Sequence, residues 1–176
     1  MDQEEKANQP GEILDLVNGN DEIIGEVIRK DANSNPKLTH REIAVIIVDD
    51  KNRILLQKRS GFKTVNPLMW SVTAGHILKG DEALGTAHIE LKEKLGFDTD
   101  LVFIKKVLHK YPWESHFMNY FLGKYNNEEV KIEKAEVEET RFFSKAELEN
   151  FIKKGGDVNL KHLEIFNDYW QGEFSK

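Results

Sequence analysis

The chain has 176 residues, 39% hydrophobic and 32% charged, with 25 basic against 31 acidic side chains and a formal charge of -6. That length suits a single domain with a substantial core, and the acidic balance argues against broad nucleic-acid binding while leaving room for a locally basic pocket that takes a small anion. Cysteine is absent, no apolar run approaches the roughly 20 residues of a membrane span, and the polar start from Met1 to Lys6 is unlike a targeting segment, so the expected location is the cytoplasm, with no membrane partner.

Residues 1–11 end in Pro10-Gly11 and read as a disordered tail. Leu14 to Val17 and Ile23 to Ile28 flank Asn18-Gly19-Asn20-Asp21, a hairpin signal in which Asn-Gly supplies positive φ. Asp31 to Lys37 reads as a loop. Ile43 to Val48 is nearly continuous and β-branched, as in a strand covered on both faces, and Asp49 to Asn52 turns the chain into Ile54 to Gln57. Trp70 to Thr73 leads into a glycine-rich turn. Further strands are expected at Leu101 to Leu108, Phe117 to Lys124 and Val137 to Phe143. Ser144 with Glu147 predicts a capping box opening a helix to about Lys154. Leu160, Leu163, Phe166 and Trp170 mark a last amphipathic helix. The pattern predicts an α/β fold, a mixed sheet with helices on its faces.

Residues 75–97 carry most of the functional signal. They run through the glycine-rich turn and Asp81 into a short helix closed by Gly96. Leu84, Ala87, Leu91 and Leu95 fall on one stripe, the pattern of a buried face. Glu90 and Glu93 lie off it and are neighbours on the helix. Two adjacent carboxylates repel, and are easiest to keep around a cation. Hard oxygen ligands suit magnesium, which commonly arrives with a substrate phosphate. Lys94, four residues beyond Glu90, offers an ammonium that neutralises the same face without metal.

This stretch resembles the Nudix box, in which a glycine and a glutamate precede Arg-Glu-apolar-x-Glu-Glu-x-Gly-apolar. Gly75, Glu90, Leu91, Glu93, Gly96 and Phe97 match, and Asp81 stands for the first Glu. Ile89 replaces the Arg, and Lys94 replaces the last Glu, which in the family is among the principal magnesium ligands. The resemblance implies a Nudix-type α/β/α sandwich with a mixed β-sheet and an N-terminal β-hairpin. Residues 12–176 would form this single domain, C-terminal helices included.

Features outside the box are similar to the Nudix subgroup of isopentenyl-diphosphate isomerase. They are the opening hairpin, Thr39-His40-Arg41, the run Leu55 to Ser60, and Met69-Trp70 ahead of Gly75-His76. The catalytic cysteine of those isomerases falls at Ala74, which cannot give or take a proton, so isomerase activity is not expected. The resemblance implies instead hydrolysis of a nucleoside diphosphate derivative or another organic diphosphate. Gly75, Asp81, Glu90 and Glu93 would hold Mg2+ or Mn2+, Glu90, Glu93 or the downstream Glu139 would serve catalysis, and Arg59 and Lys63 would bind phosphate. His40, His76, Glu114 and His116 align with a second metal site of the isomerases, and Asn33 replaces a further His there. The alternative is a binding module that keeps the diphosphate or nucleotide pocket without turnover, which Ile89 and Lys94 favour. Specificity is expected from the loops 60–67 and 110–115, with Tyr111 and Trp113 either stacking on a base or, as expected, covering the core. Oligomeric state stays open, since the exposed first hairpin could pair two copies as a homodimer.

Overall fold

In the computed structural model residues 2–174 are described; Met1 of the expected tail and Ser175 and Lys176 of the expected domain lie outside the described residues. The N-terminal stretch is helical where a disordered tail is expected. Asp2 caps α1 (Gln3–Asn8), accepting from the Glu5 amide at 2.8 Å. So short a helix is marginal alone; it is held by burial of Ala7 and by a Lys6–Glu133 ion pair at 2.7 Å.

Strands β1 (Ile13–Val17) and β2 (Ile23–Ile28) form the expected antiparallel hairpin as a separate two-stranded sheet. Its positive φ, however, belongs to Asp21 (62°) and not to the Asn18-Gly19 pair. Asn18 Oδ1 instead accepts from the amides of Asn20 and Glu22, at 2.9 and 3.1 Å. Arg41 then fixes Asp21, its Nε donating to the carboxylate at 2.6 Å. A short helix, α2 (Arg29–Ala32), occupies the start of the segment expected to be a loop.

The main sheet is built from β3 (His40–Val48), β4 (Ile54–Arg59), β5 (Trp70–Ser71), β6 (Thr73–His76), β7 (Leu101–Lys110), β8 (Ser115–Lys124) and β9 (Val137–Phe143). Its spatial order is β5-β4-β3-β8-β7, with β6 also paired to β3 and β9 to β4. β3 runs parallel to β8 and antiparallel to β6, so the sheet is mixed. Gly75 and His76 thus lie in a strand rather than in a turn. Side chains alternate across β3. Ile43, Val45 and Ile47 join the core under helix α3 (Ala83–Leu95), and Ala44, Ile46 and Val48 join the core on the other face. That second core is covered by α4 (Lys145–Lys153) and, after a 3-10 turn at Leu160–His162, by α5 (Leu163–Trp170). The result is an α/β/α sandwich with the box helix α3 on one face.

The capping box of Ser144 and Glu147 is present. α3 buries Ala87, Leu91 and Leu95, but Leu84, in its first turn, is 45% exposed and Thr86 is buried instead. Leu160 is likewise exposed, because it sits in the 3-10 turn ahead of the packed face of α5. Helix α3 ends at Gly96 with φ 74°, where a Cβ would also fall 2.7 Å from that of Lys131.

Candidate functional site

Strand β6 links two polar clusters. On the α3 side, Glu90 folds over Gly75 so closely that a Cβ there would lie 2.1 Å from Glu90 Oε1. Lys94, one turn on, points the same way. Its ammonium donates to the Ala74 carbonyl at 2.5 Å and meets Glu90 Oε2 at 2.6 Å. The second contact is an ion pair outside hydrogen-bond geometry, and the buried Oε2 has no hydrogen bond.

Glu136 approaches Lys94 to 3.7 Å and Lys63 to 2.5 Å. It gets there through an irregularity in the β4–β9 pairing, where Lys58 faces Glu139 but Arg59 faces Val137. Skipping a residue this way re-aims the chain beyond it, and the Glu136 carbonyl accepts from Ser60 at 3.0 Å. Glu139 is exposed and has no ion pair with this cluster; Glu136 is the downstream carboxylate that reaches it.

Lys63 is 8% exposed, also donates to the Ala7 carbonyl of α1, and is pushed down to about 8 by burial and by Lys94, against the pull of Glu136. Arg59 binds the 60–69 loop, donating to the Val65 and Asn66 carbonyls at 3.0 to 3.2 Å. Burial lowers its pKa, against both Glu136 and Glu42. Glu93 is exposed at the edge, its carboxyl raised by partial burial and by Glu90. Asp81 is exposed, and its side chain makes no bond to the cluster.

On the opposite side of β6, one ligand atom each from His40, Glu42, Glu114 and His116 lie within 4.8 Å of one another. The parallel register sets His40 beside His116, and the antiparallel one sets Glu42 beside His76. His40 Nδ1 lies 3.4 Å from the Leu38 carbonyl and Nε2 3.3 Å from Glu42 Oε1, both oxygens that accept. His116 is fully buried with both ring nitrogens unpartnered, at 3.8 Å from Glu42 and from Glu114. His76 is adjacent but bonded to Asn33 Oδ1 at 2.8 Å, the residue replacing the isomerase histidine.

Burial alone would push Glu42 up, yet His116, Lys161 and His76 hold it well below the usual carboxylate range. Burial takes His116 down to about 4, against Glu42, and raises Glu114. Two imidazoles with two carboxylates are a donor set for a borderline divalent ion. This cluster fits a metal. In the box an ammonium already bridges Glu90 and the Ala74 carbonyl.

Glu42 and Glu136 are the site residues that the sequence reading passes over. The His-x-Glu spacing at 40 and 42 is a signal for the first, since alternate strand residues share a face. Trp113 is 57% exposed rather than in the core. It stacks on Tyr111 (centroids 5.4 Å, 9°), which stacks on His109 and lies 6.0 Å from His116.

The NUDIX domain family profile matches residues 38–163, and the chain belongs to that family. An uncharacterized Nudix hydrolase of Listeria monocytogenes is 33% identical over 87% of this chain and 92% of its own length. Isopentenyl-diphosphate Delta-isomerase 2 of Photorhabdus laumondii is 28% identical over 84% of this chain and 85% of its own. Among solved structures, DR0079 from Deinococcus radiodurans superposes with a TM-score of 0.75 at 17% identity, covering 89% of this chain and 98% of that one; at that identity the likeness is one of fold. No helix among the described residues is long and apolar enough to cross a membrane.

Proposed function

We propose that this chain is a cytoplasmic hydrolase of an organic diphosphate that uses the histidine–carboxylate cluster, rather than the box, as its metal site. The observation that carries this reading is the buried four-donor cluster with His116 unpartnered, with the half-buried Arg59 near enough for its charge to be felt by Glu42 of that cluster. Manganese or magnesium held by His40, Glu42, Glu114 and His116 would neutralise phosphate oxygens and make water more acidic. Arg59 and Lys63 would hold the diphosphate by charge. Glu93, a box carboxylate in no ion pair and with a raised pKa, would take the proton as water adds to phosphorus and the anhydride P–O bond breaks. Trp113, exposed and stacked on the half-buried Tyr111, offers a flat wall for the organic portion. Isomerase chemistry is not part of the proposal, because Ala74 has no exchangeable side-chain proton.

The second reading, a diphosphate-binding module without turnover, is favoured by the Lys94 bridge. A screen of nucleotide sugars, dinucleotides and isoprenoid diphosphates with manganese or magnesium, following phosphate products, separates the two. Turnover of one class, reduced at least about tenfold by Arg59→Ala and by His116→Ala, is expected. Binding of such compounds without product would replace the hydrolase by the module.

A further inference from the structure

Lys94 is enclosed by oxygens drawn from three elements: the Ala74 carbonyl of β6, Glu90 of α3 and Glu136 ahead of β9. Its side chain is 11% exposed and that of Glu90 18%, so neither reaches freely into solvent. Glu90 in turn lies directly on Gly75, whose missing side chain makes its space. Beyond Glu136 stands Lys63. The signs therefore alternate along Glu90, Lys94, Glu136 and Lys63, and their formal charges cancel.

We infer that Lys94 is the resident cation of the box: its ammonium takes the place of a divalent ion among these oxygens, and the intact box refuses magnesium. A second cation entering here would meet two ammonium groups at short range and find each inner carboxylate already paired. Glu93 stands at the exposed edge and alone cannot replace the ligands Lys94 occupies. Glu90 Oε2 is buried without a hydrogen bond, so removing the ammonium would take away the ion pair that balances its charge. This inference does not rest on the hydrolase reading, and its test reads stability rather than turnover.

Thermal melts of chelator-treated parent, Lys94→Glu and Lys94→Gln, with and without millimolar magnesium, decide it. Any magnesium shift of the parent should come from the histidine cluster, and in His116→Ala, where the box is intact, it should fall below about 1 °C. Lys94→Glu should melt lower than the parent without magnesium and recover by roughly 5 °C or more with it, as linkage requires for an ion well above its Kd. Lys94→Gln adds no charge and should gain in the same direction by less; it carries the test if Lys94→Glu does not fold. Repeating the parent measurement in His116→Ala separates magnesium held at the histidine cluster. A magnesium shift of the parent that persists in His116→Ala overturns the inference, as does a magnesium shift in both Lys94 variants no larger than the parent's.

Discussion

The carboxyl of Glu90 fills the volume that a side chain at residue 75 would need, with its Oε1 2.1 Å from the ideal Cβ position. Gly75→Ala should accordingly displace Glu90 from Lys94 and destabilise the fold by roughly 1–3 kcal/mol, the usual range for forced overpacking. Urea denaturation checks this, and an unchanged midpoint would mean that Glu90 does not rest on the strand. Much of this local arrangement is legible in the chain, because helical spacing alone puts Lys94 beside Glu90. What spacing does not reveal is the second half of the bridge, the Ala74 carbonyl, since no sequence pattern encodes which backbone oxygen a lysine will meet. The choice between Glu136 and Glu139 is equally hidden. Both lie in one acidic run, and only the irregular β4–β9 register turns Glu136 inward. Glu42 is masked by the apolar residues that follow it, although it lies on the same strand face as His40.

Helix α1 shows how an element can be illegible by itself and definite in its setting. It lacks the length to form alone, and its six residues give no periodic apolar face to read. Its order comes from the 60–69 loop, which it grips through Asn8. The Asn8 amide donates to the Phe62 carbonyl at 3.0 Å, while its oxygen accepts from the Thr64 amide at 2.9 Å and hydroxyl at 3.0 Å. The same loop carries Lys63, whose ammonium donates to Ala7, and its far end receives Arg59. Asn8→Ala should therefore loosen the surroundings of both phosphate-binding candidates while costing only about 1 kcal/mol of global stability. Hydrogen exchange is the appropriate measurement: amides from Phe62 to Thr64 should exchange several-fold faster, with β3 and β8 unaffected. Equal exchange in both proteins would show that α1 does not order the loop.

At the scale of the whole molecule, one core carries a titratable group that ties stability to pH. The α4/α5 side buries a histidine, His162, whose Nδ1 lies 3.2 Å from the Tyr120 hydroxyl. Burial, and then Lys161, hold its pKa well below the ordinary value. The unfolded chain thus takes this proton first, at about pH 6.5, so the neutral histidine's contribution is whole above that pH and is lost as pH falls toward its depressed folded value. Stability should decline from pH 7 to 5, and His162→Asn should make that decline shallower by up to about 1.4 kcal/mol per pH unit. Melts across this range test it; parallel slopes in the two proteins would exclude His162 as a source.

The parallel pairing of β3 with β8 has a consequence of another kind. It brings His40 and Glu42 against Glu114 and His116, though the chain between them makes the whole excursion through β4, β6, α3 and β7. An ion shared by these four side chains would work as a removable staple, closing one long loop in a chain that has no cysteine with which to close it covalently. Because distant pairings of this sort are slow to form, such a staple would be fitted after the sheet is finished. It would fasten the interior of an already folded molecule and not guide its assembly.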